Sequence, residues 1–265
     1  MKNNLGNLVV LAILSVLFFA TFSSAAPNGA TSTASAPQTA PADTAESELA
    51  MAGNITGLVI SGFATTQTWQ GYFGNVTGVI QLADASEDVL YNWSLATPSG
   101  EVFSSTNQTV TWSNIQCFNF TANGTQGGTA GETAGGTSIG GLNLTQLETR
   151  FNITSNDADG VNETFAFSVA ADTHDLFYTA SRQFSAGECL HAKPYSSSGA
   201  STANQFEEVL LYEPATTSVI FASLLEEASV TGFDGGDHDF EMLVLEDGHG
   251  TDVSTTTYYF FVELE

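Results

Sequence analysis

Basic residues are almost missing from this chain: beyond the N-terminal segment only Arg150, Arg182 and Lys193 carry positive charge, against 29 acidic residues. The surface field is therefore strongly negative, which excludes nucleic acid and anionic lipid as partners, because both depend on cationic side chains. Cysteine is limited to Cys117 and Cys189. In an exported chain such a pair most simply forms one disulfide. Catalytic signatures are absent as well: there is no Gly-x-Ser-x-Gly elbow, no His-Glu-x-x-His, and no nucleophile set beside a base in an interpretable motif. The chain reads as a non-enzyme. Carboxylate pairs of the glycoside-hydrolase kind are compatible with any acid-rich sequence, so they carry little information and leave a secreted hydrolase as the third reading. After the first 25 residues no run is long and apolar enough to span a membrane, and the ending Phe260-Phe261-Val262-Glu263-Leu264-Glu265 offers no lipid-anchor tail.

What is present begins with an export signal. Lys2 precedes the apolar run 8–22, and Ser23-Ser24-Ala25 places small residues at the cleavage positions before Ala26. Residues 1–25 thus read as a signal peptide, with an uncleaved anchor or a pilin-type core helix as the alternative. Residues 26–52 are built from Ala, Pro, Thr and Ser, with Pro27, Pro37 and Pro41 among them. That composition buries too little apolar surface to offset chain ordering, so a flexible stalk or N-terminal extension is expected. Residues 53–265 are long enough for one large core.

Nine N-glycosylation sequons follow, all in the first part of the mature chain: Asn54, Asn75, Asn92, Asn107, Asn119, Asn123, Asn143, Asn152 and Asn162. Chance alone gives roughly three or four such matches at this content of Asn, Ser and Thr. The excess points to surface sites on an extracellular glycoprotein. None follows Thr164, and two accounts fit this: the sequon-free half is kept clear for subunit contacts, or Asn is simply rare there, since only Asn204 remains.

Alternating, β-branched and aromatic runs at 57–63, 66–73, 76–82, 89–95, 102–105 and 110–120 are separated by Gly, Asn, Asp and Pro, as in an antiparallel meander. Residues 122–141 are almost wholly Gly, Thr and Ala, which predicts a long mobile loop. Leu144, Leu147 and Phe151 recur at helical spacing and predict one short helix, followed by a turn at 157–160. Strand patterns return at 164–170, 207–212, 219–224, 239–245 and 255–264. In the last of these Tyr258, Phe260, Val262 and Leu264 share one face, and Tyr259 and Phe261 the other, so cover is expected on both sides, from a second sheet or from a neighbouring subunit. The fold class is all-β: a single antiparallel β-sandwich with one short helix and a long Gly/Thr-rich loop, locked across its halves by Cys117–Cys189.

Three constellations carry candidate chemistry. Asp234, Asp237, Asp239 and Glu241 crowd carboxylates around Gly235-Gly236, as a calcium loop does, although the spacing is not that of an EF-hand. A solvated acidic hairpin turn is the favoured alternative. His238 and His249 flank the same strand and, with Asp237 or Asp239, are candidate transition-metal ligands, with ordinary surface histidines favoured. Trp69, Tyr72, Phe73, Tyr91, Trp93 and Trp112 form either a platform for sugar rings or, as alternating strands favour, part of the core.

The segments Trp69-Gln70-Gly71-Tyr72-Phe73-Gly74-Asn75-Val76-Thr77-Gly78, Tyr91-Asn92-Trp93-Ser94, Pro98-Ser99-Gly100-Glu101-Val102, Glu207-Glu208-Val209-Leu210-Leu211-Tyr212 and Gly248-His249-Gly250-Thr251-Asp252 resemble a group of exported archaeal surface proteins over nearly all of the mature domain. The resemblance implies an archaeal envelope location, where this sequon is used, and brings no catalytic residues with it. The expectation is a glycosylated extracellular structural subunit that binds copies of itself, through strand 57–63 or 255–264, into a filament or coat. Other envelope glycoproteins or glycans are further candidate partners. The alternative is a carbohydrate-binding adhesin that uses calcium.

Overall fold

The computed structural model describes residues 26–120, 142–166, 173–200, 205–226, 230–250 and 252–265. In chain order the strands of the first part are β1 (Asn28–Gly29), β2 (Trp69–Gly74), β3 (Val79–Ala83), β4 (Val89–Ser94), β5 (Gly100–Ser105) and β6 (Gln116–Cys117). Helices α1 (Leu144–Arg150) and α2 (Val161–Thr164) follow. Then come β7 (Phe177–Thr179), β8 (Arg182–Phe184), β9 (His191–Ala192), β10 (Tyr195–Ser196), β11 (Gly199–Ala200), β12 (Glu208–Glu213) and β13 (Ser218–Leu224). The chain closes with β14 (Val230–Thr231), β15 (Asp237–His238), β16 (Phe240–Leu245) and β17 (Tyr259–Leu264). The protein is all-β, and every recorded pairing is antiparallel.

A seven-stranded sheet forms the centre, in the order β1-β17-β5-β13-β12-β6, with β9 also on β12. Strands β12 and β13 are buried along their whole length, which requires cover on both faces. The alternation of their side chains divides the core in two. Leu210, Tyr212, Val219 and Phe221 face one way, against Leu147, Phe151, Phe165 and the paired strands β2 and β16. Val209, Leu211, Ile220 and Ala222 face the other way, against Phe177, Phe184 and Ile115. Each large apolar side chain so enclosed contributes about 1.5–3 kcal/mol. The terminal strand behaves as its two-faced pattern predicts, since Phe260 joins the first cluster and Phe261 the second. Its cover comes from its own chain.

Polar pegs fix the layers to the sheet. Glu208 accepts the Leu243 backbone N–H at 2.8 Å, and the Ser223 hydroxyl donates to the Glu241 carbonyl at 2.9 Å, so both tie the centre to β16. Gly100, at φ +117°, lies so close to the β17 backbone that a Cβ there would meet the Glu263 carbonyl. Cys117 and Cys189 are bridged, with Cα atoms 5.3 Å apart, beside the second cluster.

Several expectations change. Residues 57–63 form no strand and stay exposed, because a strand exists only through a partner and this one has none within the described residues. Of the strand expected at 164–170, Thr164 ends helix α2, where Val161 and Phe165, one helical turn apart, are both buried, and residues 167–170 lie outside the described residues. The sequence pattern of 110–120 yields only a 3-10 turn at Trp112–Asn114 and the two residues of β6. Helix α1 forms as expected, started by a capping box in which Asn143 and Gln146 exchange hydrogen bonds. The expected loop 122–141 lies outside the described residues. The Pro-rich extension begins inside the sheet: Pro27 is buried, and Asn28 and Gly29 pair with Val262 and Phe261.

Candidate assembly surface

Strands β3 and β4 pair with each other and, among the described residues, with no other strand. Their hairpin starts where Gly78 lies against the Leu264 side chain, so close that a Cβ there would push the end of that side chain aside, and returns into β5. Register sets its two faces. Ile80 lies opposite Trp93 and Leu82 opposite Tyr91, which gathers four apolar side chains on one face. Gln81 lies opposite Asn92 on the other face, with Ser94 alongside. Leu82, Tyr91 and Trp93 are each about half exposed, at 52%, 59% and 49%. A core strand leaves such side chains dry, so this face lacks its cover. Strand β4 carries a register shift opposite Leu82 and Ala83, which leaves Leu90 as an extra residue, 80% exposed.

A second uncovered apolar element precedes the hairpin. Ile55, Leu58, Val59, Ile60 and Phe63 are all exposed, Ile55 and Val59 completely. From Leu49 to Ala83 the chain contains no Asp, Glu, Lys, Arg or His, although its formal net charge is −25. The uncharged zone therefore takes in both the bare segment and β3.

The sequence-stated aromatics divide between core and surface. Trp69 packs on Phe165 and Phe221 and donates its indole N–H to the Asp159 carbonyl at 2.6 Å. Tyr72 packs on Phe260, and Trp112 on Phe103 and Phe261. Tyr91 and Trp93 remain outside, ring centroids 4.8 Å apart, while exposed Phe73 leans on Phe233 and His238.

The acidic loop is built as a hairpin of β14 and β15, with Gly235 in the left-handed region at φ +81°. Its four carboxylates are engaged separately. Asp234 accepts the Gly236 N–H and faces the His238 ring, each at 2.8 Å, and these bonds hold its carboxyl below the ordinary range. Asp237 accepts from the Thr231 hydroxyl, Asp239 from the Val76 N–H and Glu241 from the Phe233 N–H. His249 lies instead near Asp247 and Asp157, at 3.6 and 3.9 Å, so the two histidines face different carboxylates. Among the described residues no group of three or more His, Cys, Asp or Glu is arranged to hold a metal ion.

Eight of the nine sequon acceptors lie among the described residues, and none is buried. Asn54, Asn75, Asn92, Asn152 and Asn162 are exposed, whereas Asn107, Asn119 and Asn143 are half-buried. Asn123 lies outside the described residues. Asn143 uses its Oδ1 to cap α1, and Asn107 directs its Nδ2 at the Ser218 hydroxyl, 3.4 Å away.

One feature of the site chemistry was missed from sequence: a row of glutamates under β7. Glu263 lies directly opposite Glu101, and Glu101 opposite Leu224, whose N–H bonds to the Glu207 carbonyl. These three side chains accept the backbone N–H groups of Ala180, Tyr178 and Asp175, at 2.9, 2.9 and 2.7 Å. Burial pushes the Glu101 carboxyl up to about 8 and that of Glu263 to about 7, with Glu265 adding repulsion. Glu226 rises to about 7 by the same burial, with Asp175 opposing its charge. The signal was present in sequence as acids placed inside apolar strands. No protein family, characterised protein or solved structure matches this chain in comparisons of sequence and fold.

Proposed function

We propose that the mature chain is a secreted, N-glycosylated structural protein of the cell surface that joins copies of itself through β-strand interactions into an extracellular filament or coat. The observation that carries this reading is the pair of uncovered apolar elements, residues 55–63 and the strands β3 and β4, whose own residues carry no charge, on a chain that is otherwise densely acidic. Charge keeps such copies apart everywhere except where charge is absent. An unpaired apolar segment and an open hairpin are the two halves of strand addition. The sheet centre takes no part, because β12 and β13 are already covered by their own chain and β17 is already paired along both edges, with β1 and β5. On this reading the contact elements, the candidate donor 57–63 among them, lie in the half that carries the sequons.

Negative-stain electron microscopy of the native secreted glycoprotein is expected to show filaments or sheets, and deletion of residues 51–63 to leave monomers. Dispersed particles from the intact protein would reject the reading. Glycopeptide mass spectrometry is expected to find sugar at Asn54, Asn92, Asn152 and Asn162, with lower occupancy at Asn107, whose amide is engaged. An unmodified secreted protein would remove the glycoprotein part.

The exposed Tyr91–Trp93 pair favours a second reading, a carbohydrate-binding adhesin, since aromatic faces suit sugar C–H groups. A glycan array run with and without chelator tests it. Binding that chelation abolishes would bring in the acidic loop, and no binding in either condition would dismiss the adhesin.

A further inference from the structure

We infer that assembly, on the reading proposed above, is directional: residues 55–63 of one copy pair along the open edge of β3 in the next copy and extend its Ile80–Leu82–Tyr91–Trp93 face with their own apolar side chains. Four observations converge on that occupant. The hairpin face is apolar and half exposed, and the outer edge of β3 is unpaired among the described residues. Neither β3 nor the segment 55–63 carries a charge, so a basic partner gains nothing along that edge, whereas a second copy of this acidic chain meets no charge along the strand itself, the acids Asp84, Glu87 and Asp88 lying in the turn beyond it. The chain itself supplies an apolar, proline-free segment with no partner of its own. Finally, the sequon at Asn92 lies on the opposite face of the hairpin, which directs a glycan away from the apolar face.

The choice of β3 over β4 follows from regularity. The extra residue Leu90 breaks the spacing of β4, and a bulge of this kind obstructs pairing along an edge. The sequence Val79-Ile80-Gln81-Leu82-Ala83 runs unbroken. Because donor and acceptor are different surfaces of one chain, each copy presents one of each, and the contact repeats as an open, heterologous chain of subunits rather than closing as a two-fold dimer. Asn54 stands immediately before the donor, so its glycan marks the donor's N-terminal limit.

Complementary variants of the full glycoprotein test this. A donor variant, Leu58→Asp with Ile60→Asp, and an acceptor variant, Ile80→Asp with Leu82→Asp, alter only exposed side chains, so both are expected to keep the wild-type melting temperature. Each alone is expected to sediment as a monomer. An equimolar mixture is expected to stop at dimers, because only one intact donor and one intact acceptor remain per pair. A synthetic peptide of residues 54–65 is expected to shorten wild-type polymers and change Trp fluorescence, with a scrambled peptide inert.

Filaments of wild-type length from the acceptor variant would overturn the β3 assignment while leaving self-assembly standing. A mixture that restores long polymers would overturn the directional contact. Wild-type protein that stays monomeric would overturn both this inference and the proposed function. A Trp response to oligosaccharide but not to the peptide would make the hairpin a sugar platform and end the inference.

Discussion

Scanning calorimetry is expected to give a higher Tm at pH 6 than at pH 8.5. The cause is the row of buried glutamates. In the unfolded chain these carboxyls ionise near 4.5, but burial raises Glu101 to about 8 and Glu263 and Glu226 to about 7. Between those limits the folded protein holds protons that the unfolded chain has released, so stability falls as pH rises. It is fully present below about 4.5 and lost once the pH passes the folded values. From pH 6 to pH 8, Glu101 alone accounts for about 2 kcal/mol, a sizeable share of the roughly 5–15 kcal/mol that holds a domain together. Glu208, fully buried in the opposite core with Oε1 unbonded among the described residues, is raised in the same direction by its burial.

One group pulls the other way at lower pH. His174 is buried and lowered mainly by desolvation, and its Nε2 accepts the Cys189 N–H at 3.0 Å. The stability that its neutral ring supports is lost as pH falls below about 6.5, where the unfolded imidazole takes a proton. The optimum therefore sits in mildly acidic solution. Glu101→Gln keeps an oxygen for the Tyr178 N–H while removing the charge, so it is expected to raise Tm at pH 8.5 and leave it nearly unchanged at pH 6. Equal melting at the two pH values in the wild type would refute the argument.

The second large effect is expected from Cys117→Ser combined with Cys189→Ser. The bridge closes a loop across a sequence separation of 72, and loop entropy assigns such a closure about 4 kcal/mol. It also joins β6, at the rim of the central sheet, to the chain just before β9, both of which pair with β12. Its loss frees two neighbours of one strand in the denatured ensemble at once. Denaturation midpoints in urea are expected to fall sharply for the double variant and for the reduced wild type alike. A midpoint within error of the oxidised protein would show that the bridge lends no stability.

Much of the fold was legible from the residues because strands announce themselves by local alternation. The strands at Gly100–Ser105, Glu208–Glu213, Ser218–Leu224, Phe240–Leu245 and Tyr259–Leu264 lie where period-two patterns placed them, and α1 follows its spacing and its Asn143 cap. The candidate site was less legible. Residues 57–63 carry as good a strand pattern as β3, yet only β3 is paired, and pairing is a property of two segments. The aromatics gave the same difficulty: Trp69 and Trp93 both lie in short strands, but Trp69 is roofed by Phe165 and Phe221 whereas Trp93 meets only the ring of its exposed neighbour Tyr91 among the described aromatics and stays half exposed. The short strands β7 and β8 were missed because three residues are too few to show a period.

By itself, the sequence determined the all-β class, the strongly acidic balance, the number of available disulfides and the chain positions of the sequons, because each is a matter of composition or of neighbours within a few residues. Tertiary structure alone decided which apolar strands are sealed and which are bare, which acids lie in one buried row, and that the uncovered surface belongs to the sequon-bearing half. Those outcomes depend on register between segments far apart in the chain, where a shift of one residue exchanges the buried face for the exposed one.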